Sequence, residues 1–400
     1  MNTNGQTNTI PVGPFHPLLE EAEYFNLVVD GETIVDIDLD IGWMHRGHEF
    51  ISEQKTFTQS IYLVERICGI CSTSHPLACV HAVEDIDNIE IPLRARYIRS
   101  LVGELERIHS HLLWLGLAGH FIGYDTLWMW SWKYREPILQ MFEIISGNRN
   151  HYGMMRVGGV ARDVEPAKIP SLIGIMDEIA GKLDMIAKAA HDDPVLRSRL
   201  KDVGVLTHQD AVDYCAVGPT SRASGVPADV RKSETDMDAY GLIDWDVIVL
   251  KNGDVYDKLV VRVLETLESI KICKACLEKL KTISGPFLNK VKEISPGEGI
   301  GRYEAPRGEV FHYIRSDGTN RPIRHKVRAP SYVNIPTYAA SCRGISLADA
   351  LITTASVDPC YCCTERSLRI KDTRDHYLDT DLLALSRAKT DRIRREYHGA

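Results

Sequence analysis

The sequence predicts a mainly α protein of the α+β class, a central bundle of long helices with small peripheral β-sheets, one of them an N-terminal hairpin. Three observations carry this. Apolar side chains recur at alternating steps of three and four over long stretches, as helices require. One segment near the amino terminus alternates at every second residue instead. The intervening Gly-, Pro- and Arg-rich stretches are of mixed composition, which suits ordered loops better than linkers. At 44% hydrophobic and 26% charged, the chain has ample material for a core. No repeat or clear boundary divides it, so 1–400 reads as one unit: a β-rich segment over 10–50, a helical core carrying the site over 51–366, and a tail over 367–400.

Taken in order, YFNLVVDGETIVDIDLDI (24–41) alternates on both sides of Asp30-Gly31, a turn dipeptide, and predicts a β-hairpin. From Ile91, residues Ile98, Leu101, Leu105, Ile108, Leu112 and Leu115 mark one apolar face of a long helix. Glu104, Arg107 and His111 form a second stripe on it, either a solvated face or a buried polar network. A further helix is predicted over 163–193, and another over 255–283, ending before Gly285-Pro286. The turn-rich stretches 146–162, 215–231 and 296–336 read as functional loops. The basic run RPIRHKVR (321–328) reads as a local charged loop or strand face.

A formal net charge of -8 argues against a general nucleic-acid binder, which needs a surplus of cations on one face. MNTNGQTNTIPVG lacks the charged start and apolar stretch of a signal peptide, so the expected compartment is the cytoplasm. The most apolar long stretch, Leu112 to Trp132, is broken by His120, Asp125 and glycines, and falls short of the roughly 20 apolar residues of a bilayer span. Ten cysteines without a secretory signal favour reduced thiols over disulfides.

Three Cys-x-x-Cys pairs stand out. Cys273/Cys276 lies inside the 255–283 helix, where buried thiols act as small hydrophobes. Cys68/Cys71 in RICGICSTSH is different: Gly69 permits close backbone approach, Arg66 precedes and His75 follows. In DPCYCCTER, Pro359 stiffens the approach to Cys360 and Cys363. Four converging thiolates would hold zinc or an iron-sulfur cluster by spacing alone. A structural zinc site, however, usually gathers its pairs within about 15 to 20 intervening residues. Ligands at opposite ends of a chain put the metal in the centre of the fold, a location better suited to catalysis.

RICGICSTSH and DPCYCCTER closely resemble the two nickel-binding motifs of nickel-iron hydrogenase large subunits. GPFHPLLEEAEYF, GWMHRGHEF, ELERIHSHLLWLG, RVGGVARD, VGPTSRASGVPADVR and APRGEVFHYIRSDGTNRPIRHKVRAPSYVNIP are similar to the energy-converting, membrane-associated branch, related to the 49 kDa subunit of respiratory complex I. The resemblance implies that Cys68 and Cys360 are terminal nickel thiolates. Cys71 and Cys363 would bridge nickel to an iron carrying carbonyl and cyanide. It also implies that Glu21 accepts protons near Cys360, although Ala22 stands where proline is common. Arg307 would overhang the open metal position, held by Asp358. Ser331, next to Pro330, would hydrogen-bond a cyanide, and His75 would be an outer donor. The chemistry needs these types: splitting dihydrogen into hydride and proton calls for a base, and a carboxylate within reach must carry the proton outward.

Two departures mark this sequence. Where common hydrogenases place a terminal histidine beside a glutamate-bound metal ion, this chain has Arg366, so a Glu49–Arg366 ion pair is expected instead. Maturation in many relatives also removes everything beyond that point, whereas this chain continues, either as a member of a subgroup that skips cleavage or as the precursor; DLLALSRAKTDRIRREY (381–397) reads as an amphipathic helix, which suggests a retained docking element. The resemblance implies an energy-converting hydrogenase on the cytoplasmic face of the membrane. Its partners would be a small subunit with a [4Fe-4S] cluster, other iron-sulfur and integral-membrane subunits, and ferredoxin as electron donor, with no nucleic acid. The alternatives are a complex-I-like quinone-binding subunit and a structural zinc-thiolate scaffold.

Overall fold

The computed structural model describes residues 7–17, 19–233, 237–364, 370–371, 377–378 and 382–398. It is mainly helical with small antiparallel sheets, as the sequence predicts. The helix Leu93–Phe121 is the central element, buried along most of its length, and packs on Asp125–Ser146 and Val255–Leu280. Ile169–Asp192 also lies against Val255–Leu280. Val255–Leu280 begins where Asp254 accepts the Asp257 N–H at 2.7 Å, an N-cap that satisfies an otherwise orphaned donor.

Three expectations need correction. The amino-terminal hairpin turns at Gly31-Glu32 rather than Asp30-Gly31, since Asp30 already pairs with Thr33. Gly31 takes φ 62 there, a conformation glycine adopts without strain. The hairpin is also part of a three-stranded sheet, with Asn8–Val12 on the outer side of Tyr24–Asp30. The stretch 296–336 is largely a second three-stranded sheet, Pro296–Ala305, Gly308–Asp317 and Pro322–Arg328. The first of these strands lies on the helix Ser74–Asp87 and carries Gly297, Gly299 and Gly301 on that face. Glycine where apolar side chains belong hid the strand from a reading by alternation.

Two cores meet at the cysteines. The larger joins the long helices to Ile67, Cys68 and Cys71. The smaller lies beneath the amino-terminal sheet, where Phe25, Leu27 and Ile34 share a cluster with Tyr338, Val357 and Tyr361. The residues flanking Cys360 are thereby anchored under one sheet while Cys68 is anchored among helices. Residues Arg366–Ala400 form a separate unit. Within it Ile370–Lys371 pairs with Tyr377–Leu378, and the helix Leu382–His398 follows.

Candidate metal centre

The first cysteine loop precedes the helix Ser74–Asp87, and its amides turn inward: the Ile70 and Cys71 N–H groups point at Cys68 Sγ, at 3.3 and 3.2 Å. The second loop leaves a left-handed Asp358 (φ 59) and closes as a single 3-10 turn over Tyr361–Cys363. Between them Cys68 Sγ lies 3.1 Å from Cys360 Sγ, and Cys360 Sγ lies 3.1 Å from Cys363 Sγ. Cys71 sits against both Cys68 and Cys363. All are between 1% and 4% exposed and none is in a disulfide. Thiol donation from Cys360, and then from Cys362, Cys363 and Cys71, holds Cys68 well below the ordinary thiol range. A buried nest of sulfur donors is a fitting cradle for a soft metal.

Cys362 belongs to this nest, its sulfur 3.3 Å from that of Cys360. The sequence analysis does not single it out, although its place inside Cys-x-Cys-Cys is the available signal. Cys273 and Cys276 are fully buried in their helix, away from the nest, and burial pushes both thiols up, as expected of packing residues.

Polar side chains surround the sulfurs. Glu21 Oε2 accepts the Cys362 N–H at 2.5 Å and lies 3.9 Å from Cys360 Sγ. Burial, and next the charge on Cys68, raise its carboxyl above the usual range. Arg307 sits at the tip of the hairpin between Ala305 and Gly308. Its Nε donates to the Asp358 carbonyl at 2.8 Å, its Nη2 pairs with the Asp358 carboxylate at 2.6 Å, and its Nη1 reaches Ser110 at 3.1 Å and Cys71 Sγ at 3.7 Å. Asn334 fixes this tip by donating to the Arg307 and Val217 carbonyls at 3.2 and 3.1 Å. Gly218 (φ 69) approaches so closely that a Cβ would stand 2.3 Å from the Arg307 oxygen. Ser331, following Pro330 at the start of a buried turn of helix, accepts the Cys360 N–H at 2.9 Å, an arrangement in which a hydroxyl keeps its own proton available to donate. His75 Nε2 lies 3.5 Å from Cys363 Sγ.

Arg46 is another residue the sequence reading did not single out. Its Nη2 donates to the Ile67 carbonyl at 2.6 Å and the Cys362 carbonyl at 3.1 Å, and Nη1 reaches the Arg66 carbonyl at 3.3 Å, so one guanidinium clasps both cysteine loops. Glu49, expected to pair with Arg366, binds Lys326 at 2.6 Å and the Val327 N–H at 3.0 Å; Arg366 lies outside the described residues.

Residues 122–296 and 287–366 match the family described as respiratory-chain NADH dehydrogenase, 49 Kd subunit, and residues 46–117 match nickel-dependent hydrogenase. The chain is 42% identical to the membrane-bound hydrogenase subunit alpha of Pyrococcus furiosus, over 96% of this chain and 93% of that one. It is 37% identical to the carbon monoxide-induced hydrogenase of Rhodospirillum rubrum, over 90% and 99% respectively. Among solved structures, a chain of the membrane-bound sulfane sulfur reductase, an archaeal respiratory membrane complex, superposes with a TM-score of 0.85 at 28% identity, covering 92% of this chain and 100% of that one.

Proposed function

This chain belongs to the nickel-iron hydrogenase large-subunit family, in its energy-converting, membrane-bound branch related to the complex I 49 kDa subunit, and from that premise we propose that it is the catalytic subunit of a multisubunit hydrogenase that forms dihydrogen reversibly from protons and low-potential electrons. One observation carries the reading: sulfurs from Cys68 and Cys360 stand 3.1 Å apart, with Cys363 and Cys71 beside them. Cys68, Cys71, Cys360 and Cys363 would hold nickel and iron, the iron bearing carbonyl and cyanide. When bound, that centre supplies the two-electron chemistry of dihydrogen.

The chain's own residues manage the proton and the field. Glu21, 3.9 Å from Cys360 Sγ, takes up a proton leaving that sulfur, and its raised carboxyl holds the proton long enough to pass it on. Arg307 presents a permanent positive charge over the sulfurs, with Asp358 fixing its plane. Ser331 orients the Cys360 amide, and its hydroxyl proton would be available to a cyanide.

Electrons would arrive from a ferredoxin-type donor through a small subunit with a [4Fe-4S] cluster, because the remaining cysteines form no relay. Coupling to ion movement would fall to integral-membrane partners that hold this chain on the cytoplasmic face. Among the described residues no helix is long and apolar enough to cross a membrane. A complex-I-like quinone-binding role is disfavoured by the presence of all four thiols.

Elemental analysis and infrared spectroscopy of the purified complex test the reading. Nickel with carbonyl and cyanide bands is expected; stoichiometric zinc without those bands overturns it in favour of a scaffold. The Glu21→Gln variant should keep its metals and lose about 10²-fold or more in hydrogen evolution.

A further inference from the structure

From Cys363 a line of buried groups runs away from the sulfur nest. His75 Nε2 faces Cys363 Sγ at 3.5 Å, and His75 Nδ1 lies 3.2 Å from His312 Nε2. His312 Nδ1 lies 2.9 Å from His325 Nε2, and His325 Nδ1 lies 2.6 Å from Ser52 Oγ. All four residues of the line are 0% exposed. His312 and His325 come from neighbouring strands whose register sets Ile314 opposite His325, so the two rings meet on the diagonal of one sheet face. Ser52 ends the helix His48–Ser52, and Ser60 Oγ steadies it by donating to its carbonyl at 3.2 Å.

We infer that Ser52, His325 and His312 are positioning residues for the metal centre: they fix the tautomer of His75, so that it presents an N–H to the sulfur of Cys363. The inference rests on the nickel-iron reading of that sulfur.

Burial keeps the two outer rings neutral: it holds His325 down to about 3 and His312 well below the ordinary imidazole range. A neutral imidazole has one N–H and one lone pair, so each ring that accepts at one nitrogen donates from the other. The line therefore has only two consistent directions. With the metals bound, the sulfur of Cys363 would carry no proton and could only accept. His75 must then donate from Nε2, His312 from Nε2 to His75 Nδ1, and His325 from Nε2 to His312 Nδ1. Ser52 must start the sequence by donating its hydroxyl to His325 Nδ1. In the opposite direction, a ring lone pair would face the thiolate. The thiol of Cys79 lies close to His312 and His325. Burial pushes it up to about 12, so it keeps its proton and does not compete as a base. A metal ion shared by these three residues would have to break the 2.9 Å bond between the rings.

The test uses the full chain, stripped of metal and titrated with nickel(II) alone. Affinity is read by chelator competition, and the sulfur-to-nickel charge-transfer band is read alongside. Ser52→Ala deletes one oxygen three hydrogen bonds from His75 Nε2. It is expected to weaken nickel binding about 10-fold and to move the band to lower energy, because the thiolate loses its donor. Ser146→Ala removes a buried hydroxyl that bonds only Phe142 and Asn148 and no group of the line, and should leave both readings native. Nickel uptake by Ser52→Ala with native affinity and a native band overturns the inference alone. A native chain that takes up no nickel, or takes it up without a sulfur band, overturns the nickel-iron reading and the inference with it.

Discussion

Arg307 shows how much one side chain can hold. Its fork spends Nε and Nη2 on Asp358 and leaves Nη1 for Ser110 and Cys71, a division that an ammonium group cannot reproduce. Arg307→Lys should therefore lower hydrogen evolution by roughly 10²-fold, with nickel content unchanged by elemental analysis; native turnover in that variant would remove Arg307 from the field over the sulfurs. The residues at this scale were unequally legible. Four cysteines announced themselves because thiol pairs are rare and chemically distinctive. Glu21, Asp358 and Ser331 came only through family likeness, since an isolated carboxylate or hydroxyl looks the same in a surface run as beside a metal. Arg46 and Asn334 work on backbone carbonyls, and contacts of that kind leave no pattern in the side chains of their partners.

At the scale of elements, helical periodicity was readable because each long helix buries one continuous face. The strand Pro296–Ala305 was not, because glycine fills the first three positions of its inner face, ahead of Tyr303 and Ala305. A Cβ on Gly301 would stand 2.0 Å from the Ala78 oxygen and 2.3 Å from the Ala82 nitrogen, both backbone atoms of the helix that follows the first cysteine loop. On Gly297 it would meet only the end of the Ile86 side chain, at 3.0 Å. Gly301→Ala should cost about 3 kcal/mol or more in denaturant unfolding, and Gly297→Ala under about 1 kcal/mol, because side-chain ends yield and main chain does not. Equal losses would mean that the contact is looser than it stands. The same close packing sets the distance between the hairpin that carries Arg307 and the helix that begins just after Cys71.

Across the whole molecule, the sequence left open whether Glu104, Arg107 and His111 face water, and the answer needed elements far away in the chain. Glu104 is bonded by Arg231 at 3.0 Å, Tyr240 at 2.7 Å and Ser269 at 2.6 Å, while Glu265 joins Arg222 at 2.7 Å to His111 at 3.1 Å. Such buried pairs add little net stability when complete and cost a great deal when halved. Burial alone would raise the Glu265 carboxyl, but Arg222 and then His111 outweigh it and hold it well below its ordinary value of 4.5. Its contribution to stability is thus present above pH 4.5 and lost as the pH falls below it. Glu265→Gln should destabilise by about 3 kcal/mol at neutral pH and flatten the acid side of the unfolding profile; a variant that keeps the native acid slope would show that other groups control it. The clasp of Arg46 on the carbonyls of Ile67 and Cys362 has a bearing on timing. A nascent chain on the ribosome holds the first half of the cradle long before the second exists, so the proposed nickel site is complete only after translation has passed Cys363.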